Sequence, residues 1–147
     1  MKIEGRYEFS APRDQVWAML VNPESLRHCL PGCKRFEEIA PDQYAVTLEI
    51  GVAAVKGTYQ GKAQLAEKEA PLHYKLIVEG TGGPGAVRGE GILTLQEQGT
   101  ATVVAVEGDA QVSGLIASVG QRMIGGVARM MMGQFFECLK GQLPPTS

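Results

Sequence analysis

The sequence predicts an α+β domain in which a curved, seven-stranded antiparallel sheet wraps a long C-terminal helix, with two short helices after the first strand. Three observations carry this expectation. Apolar and polar residues alternate in seven separate segments, as half-buried strands require. Helix-start signals interrupt that pattern only once, directly after the first segment. The last third of the chain changes to a 3.6-residue apolar period.

Lys2 to Phe9 opens the order, with Ile3, Gly5, Tyr7 and Phe9 on one face and Lys2, Glu4, Arg6 and Glu8 on the other. Ser10, Pro12 and Asp14 then favour a helix start ahead of Val16, Trp17, Met19 and Leu20. Asn22-Pro23 breaks that helix, and a second runs from Glu24 to Cys29, ended by the turn signal Pro31-Gly32. Strands follow at Lys34 to Ile39, Gln43 to Gly51, Val55 to Leu65, Leu72 to Gly80, Val87 to Gln96 and Thr102 to Ala110. The alternation is sharpest in Val55 to Leu65, where Lys56, Thr58, Gln60, Lys62 and Gln64 oppose Val55, Gly57, Tyr59, Gly61, Ala63 and Leu65. The final helix is expected from about Ser113 to Gln142, its inward half bearing Leu115, Ile116, Val119, Met123, Ile124, Val127, Met130 and Met131. Residues 1–142 thus form one domain and 143–147 a short tail.

At 147 residues, 44% hydrophobic and 20% charged, the chain suits a single globular core. A net charge of −2 provides no basic field for nucleic acid. No segment approaches the ~20 apolar residues that cross a bilayer, and the N-terminus shows no signal-peptide pattern, so a cytoplasmic location is expected. The odd count of cysteines, Cys29, Cys33 and Cys138, points to free thiols in a reducing compartment.

Nineteen glycines need a physical reason. Alternation places Gly5, Gly57, Gly61, Gly80, Gly89, Gly91 and Gly108 on the covered face, where a core normally holds Val, Ile or Leu. Glycine there sacrifices packing and adds chain entropy, so three reasons compete: sharp curvature, close approach of a helix bearing Gly114, Gly120, Gly125, Gly126 and Gly133, or space for a ligand. The flexible thioethers of Met123, Met130 and Met131 suit an apolar guest, although filling gaps in an ordinary core is their commoner use. The candidate lining is Tyr7, Phe9, Trp17, Gly57, Tyr59, Gly61, Gly89 and Gly91, facing Leu115, Val119, Met123, Val127, Met130 and Met131.

The order of elements matches the helix-grip fold of the START-like (SRPBCC) superfamily. More narrowly, Phe9-Ser10-Ala11-Pro12 with Val16-Trp17, Cys29-Leu30-Pro31-Gly32-Cys33, the Val55-Lys56-Gly57 to Gly61 segment, Gly120-Gln121-Arg122 and Phe135-Phe136 resemble the CoxG family of carbon monoxide dehydrogenase proteins. The resemblance spans essentially the whole chain. It implies a non-catalytic accessory protein of a molybdenum-containing carbon monoxide dehydrogenase or related molybdenum hydroxylase, linking the enzyme to quinones at the inner face of the cell membrane. A lipophilic quinone, menaquinone or ubiquinone, is the guest it suggests, with no tightly bound cofactor. Longer family members continue into an apolar anchor. This sequence runs to Pro144-Pro145-Thr146-Ser147, so membrane contact is expected through a segment beyond it, through partners, or through the domain's own surface. Met132, Phe136 and Leu139 fall outside the core-facing arc and could offer an apolar patch near Arg129 and Lys140; the competing reading packs Phe135 and Phe136 on the sheet edge and first helix.

Other chemistries fare worse. His28, Cys29 and Cys33 lack a second ligand pair for zinc. Gly83-Pro84-Gly85 is followed by a strand pattern rather than a helix, so it reads as a hairpin, with a mobile gate as its functional variant, and not as a phosphate cradle. His28, His73 and Asp14 have no companion at a catalytic spacing, while Glu49, Glu79 and Glu90 face outward. A START-like cyclase or hydrolase acting on an aromatic or lipid substrate, and a docking protein with a filled core, remain the alternatives.

Overall fold

The computed structural model describes residues 1–52 and 55–143. Its sheet runs in the order β1-β7-β6-β5-β4-β3-β2, antiparallel at every pairing. The strands are β1 (Lys2–Phe9), β2 (Cys33–Ala40), β3 (Gln43–Ile50), β4 (Gly57–Glu69), β5 (His73–Gly82), β6 (Gly85–Gln98) and β7 (Ala101–Ser113). Helices α1 (Arg13–Leu20) and α2 (Pro23–Cys29) join β1 to β2, and α3 (Gln121–Gly141) closes the domain. The seven strands, two short helices and long last helix agree with the sequence reading.

Local chemistry explains the boundaries. Asn22 caps α2 by accepting a bond of 2.9 Å from the Glu24 amide, and Pro23 takes the first helical position. The expected glycine-rich loop after β5 contracts to the two residues Gly83-Pro84, because Gly82 and Gly85 are themselves paired. β4 starts at Gly57 rather than Val55, and Ala53 and Ala54 beside it lie outside the described residues.

The expected helical start at Ser113 is wrong. β7 keeps its alternation through Val112 and Ser113, pairing Val87 with Val112 and Ala86 with Ser113. A 3-10 turn, Leu115–Val119, then stands between Gly114 and Gly120, whose φ angles of +85° and +99° lie in a region that side-chain-bearing residues rarely adopt. These two glycines are why the apolar run of 115–119 does not join α3.

The expectation of three free thiols is also overturned. Cys29 and Cys138, 109 residues apart, form a disulfide between α2 and α3, and only Cys33 is free. Sequence distance conceals the proximity: the C-terminal turns of α3 fold back onto α2, so the two Cα atoms are 5.4 Å apart.

The packed core occupies the end of the sheet where β1 finishes and β7 begins. Phe9, Val16, Leu20, Leu95, Val104 and Leu139 are fully buried there, and Thr102 is buried with its hydroxyl donating to the Ala11 carbonyl at 2.8 Å. Phe136 stacks on Tyr7 with ring centroids 4.1 Å apart and meets Phe9 edge-on. The competing reading of the last helix holds for Phe136 on the edge strand β1, whereas Phe135 lines an apolar cavity. Phe136 and Leu139 belong to the core, not to an exposed patch.

An apolar cavity as the candidate functional site

The opposite end of the interior is hollow. The backbone of α3 comes close to β1 and α2 but stands off the middle strands. The gap is a cavity of about 440 Å³, partly open to solvent. Its walls are Val46, Leu48 and Ile50 of β3, Tyr59, Gly61 and Ala63 of β4, Leu76 and Val78 of β5, Val106, Ala110 and Val112 of β7, and Ile124, Val127, Ala128, Met131, Met132 and Phe135 of α3. Leu30 and Pro31 after α2, and Ile116 of the 3-10 turn, complete the rim.

The helical spacing 124, 127, 128, 131, 132 and 135 defines one clean stripe. It is rotated from the expected arc. Val127 and Met131 line the cavity as expected, whereas Met123 and Met130 are 52% and 44% exposed and Leu115 is 76% exposed. Met132, expected outside, lines it. The phase error arises from including 115–119 in the helix: with that segment removed, the wheel centres on Val127 and Met131. Val119 is half-buried on the connecting turn.

Of the sheet residues expected in the lining, Tyr59 and Gly61 are there. Tyr7 and Phe9 instead pack on Phe136 in the filled end, and Trp17 stands edge-on to Tyr74, whose other neighbours lead into the cavity. Gly57 lies at the rim, where a Cβ would sit 2.9 Å from Pro84 Cδ. Gly89 and Gly91 form part of the bend rather than the wall. Residues that sequence reasoning missed, Val46, Leu48, Val78 and Val112, are legible as inward positions of their strands but look like ordinary core.

The inward glycines owe their positions to curvature. Gly61 pairs with Gly80, and Gly91 with Gly108. A Cβ on Gly61 would collide with the carbonyl oxygen of Glu79, and one on Gly108 would lie 2.6 Å from that of Glu90. Neighbouring backbones fold inward over these positions, as tight bending requires. Gly80 differs, with its nearest foreign atom 3.8 Å away. The close-helix explanation fails for Gly126 and Gly133, around which nothing lies within 4 Å. Curvature and cavity are thus not rivals: the bend carries the sheet away from α3 and creates the space.

The wall is chemically quiet. Tyr59 donates its hydroxyl to the Val55 carbonyl at 2.7 Å, and Tyr74 reaches the Leu20 carbonyl at 3.5 Å. Burial raises the ionisation of both phenols above the ordinary tyrosine value, so both are neutral donors at physiological pH. Gln60, Lys62 and Glu79 border the cavity, but strand parity sends their side chains to the outer face. There, with Arg35 and Arg88, they line a shallow polar concavity of about 480 Å³ across the twisted sheet. The hydrocarbon cavity is the stronger candidate, because it lies between sheet and helix and offers one consistent chemistry. No group of three His, Cys, Asp or Glu side chains able to hold a metal occurs among the described residues. Among those residues, too, no helix is long and apolar enough to cross a membrane.

This architecture, a bent antiparallel sheet around a C-terminal helix with a cavity between them, defines a START-like helix-grip protein. A START superfamily protein from Mycobacterium smegmatis superposes with a TM-score of 0.73 over 96% of this chain and 95% of that one at 15% identity, which establishes the shared fold. Closer in sequence, a conserved protein from Geobacillus kaustophilus is 38% identical, with a TM-score of 0.94 over 97% of this chain and 94% of that one. None of the curated proteins matches. The model of the carbon monoxide dehydrogenase CoxG family matches residues 5–144, and the chain belongs to that family.

Proposed function

We propose that the domain is a non-catalytic accessory protein of a molybdenum-containing carbon monoxide dehydrogenase or related molybdenum hydroxylase, and that it holds a lipophilic quinone in the cavity beneath α3. It links the enzyme to the membrane quinone pool. The observation that carries this reading is the cavity itself: about 440 Å³ walled by aliphatic side chains, within the ~300–1,000 Å³ range of small-molecule sites. Family membership supports the enzyme partner.

An aromatic ring and isoprenoid units fit such a wall through burial alone, at about 25 cal/mol per Å² removed from water. The wall's hydroxyls at Tyr59 and Tyr74 are already engaged by backbone carbonyls, so the quinone's oxygens face the open side. Met131 and Met132 adapt to the guest's outline. Among the described residues no side chain directed into the cavity offers a base or nucleophile to a bound molecule, which favours carriage over conversion.

Native mass spectrometry with organic extraction of protein purified from its own host tests the reading. One isoprenoid quinone per chain is the expected result. A polar metabolite turned over by the protein would replace it with an enzyme, and repeated preparations without any small molecule would leave a docking protein.

A further inference from the structure

The cover over the interior is closed along one seam between helices. The sheet ends in two edge strands, β1 and β2. α3 rests on β1, α2 rests on β2, and the contact of α2 with α3 completes the cover. Both sides of that seam carry cavity wall: Leu26 of α2 with Leu30 and Pro31 just beyond it, and Met131, Met132 and Phe135 of α3. Cys29 follows Leu26 by one helical turn and directly precedes the two rim residues, while Cys138 follows Phe135 by one turn. Their disulfide therefore ties the seam beside the rim.

Little else fastens it. Among the described residues no hydrogen bond or ion pair joins α2 to α3; Arg27 is paired with Glu24 and Lys140 with Glu137, each within its own helix. α2 is only seven residues long and hangs between two turns, Asn22-Pro23 and Pro31-Gly32. Gly32 has a φ of +71°, and its carbonyl accepts from the Glu49 amide at 2.8 Å, which fixes the second turn to β3 and leaves α2 as the piece able to swing. Cys29 is 4% exposed whereas Cys138 is half-buried, so an incoming thiolate meets the Cys138 sulfur first.

We propose that the Cys29–Cys138 disulfide is a redox latch on the cavity, released by a dithiol reductant, and that the reduced protein exchanges its lipophilic guest faster. The latch deepens the carrier reading and rests on it. A thiolate of the reductant attacks Cys138 Sγ and expels the Cys29 thiolate, which takes up a proton. The reductant's second thiolate then attacks its own sulfur in the mixed disulfide and expels the Cys138 thiolate, which is protonated in turn. The chain gains two thiols and the dithiol becomes a disulfide, two electrons and two protons passing between them. With the bond gone, only apolar contact holds Leu26, Leu30 and Pro31 toward Met131 and Phe135, and the mouth widens between them.

Stopped-flow dilution of the chain loaded with N-phenyl-1-naphthylamine, a neutral apolar fluorophore inert to thiols, before and after dithiothreitol, tests the latch. The expected result is release about tenfold faster from the reduced protein. Cys29→Ala/Cys138→Ala should release at the fast rate in both conditions, and Cys33→Ser, which keeps the pair, should respond as the wild type does. Hydrogen exchange supplies a second readout: amides of α2 and of the last turns of α3 should lose protection on reduction while those of β4 to β7 keep it. A Cys33→Ser chain that no longer responds overturns the proposal, as does loss of protection throughout the sheet, because the bond would then support the fold rather than gate a cavity. Uptake with equal release rates before and after reduction defeats the latch alone, whereas no uptake in either state removes the carrier reading on which it stands.

Discussion

The two ends of the interior are built from the same seven strands and the same helix, yet one is solid and the other hollow. At the solid end the inward positions are Phe9, Leu95 and Val104, closed by Leu139, while Leu65, Tyr74, Leu93 and Phe136 are buried at the boundary, with one side on this core and the other on the cavity. At the hollow end the corresponding rows carry Gly5, Gly61, Gly80, Gly89, Gly91 and Gly108. Large side chains bring the layers together into a filled core, and glycine pairs let the sheet turn away from the helix. Stability and emptiness are thereby separated along one axis, and the disulfide Cys29–Cys138 belongs to the solid end, where α2 meets α3.

Truncation should reveal the contrast most strongly. Phe136→Ala, which removes a ring packed on Tyr7, Phe9 and Phe135, should cost about 3–5 kcal/mol in denaturant unfolding. Val127→Ala, on a wall that already faces empty space, should cost less than about 1.5 kcal/mol. Comparable losses at both sites would erase the distinction.

Breaking the disulfide should cost slightly less than the ring. Dithiothreitol, or Cys138→Ser, should lower stability by about 2–4 kcal/mol, and thiol titration of the unfolded chain should find one reactive cysteine before reduction and three after. Three thiols before reduction would remove the tether from this account.

The paired glycines sharpen the comparison further. Gly61→Ala drives a methyl into the Glu79 carbonyl and should destabilise by about 1–3 kcal/mol, whereas Gly80→Ala, facing space, should be neutral or stabilising by up to about 1 kcal/mol. Equal effects would show that curvature does not depend on which strand of the pair is bare.

The smallest effect concerns pH. Burial of Tyr74 raises its phenol above the ordinary tyrosine value of about 10, so the folded chain keeps a proton that the unfolded chain gives up. This contribution is fully present below about pH 10 and fades as pH rises above it. Unfolding stability measured through that range should fall less steeply in Tyr74→Phe than in the wild type, and identical slopes would count against it.

Strand parity is legible because a half-buried strand imposes period two on its own residues; every inward glycine named from sequence does lie on the inner face. The phase of α3 is not. Gly114 and Gly120 look harmless within an apolar run, and their positive φ angles arise only where β7 overshoots and the chain must reverse. That single break carries Leu115 and Met123 from the expected lining to the solvent. The Cys29–Cys138 pair is hidden for a different reason: tertiary return of α3 onto α2 leaves no local pattern. The purpose of the glycines is half visible, since sequence can show that side chains are missing but not that neighbouring carbonyls occupy the place of a Cβ.

Calorimetric titration with a short-chain naphthoquinone, on the wild type and on Val127→Trp, tests the central claim most directly. The account predicts a saturable one-to-one isotherm with a negative heat-capacity change in the wild type, and its loss in a folded variant whose indole fills the space beneath α3. No saturable binding to the wild type, or an unchanged isotherm in the filled variant, would contradict it.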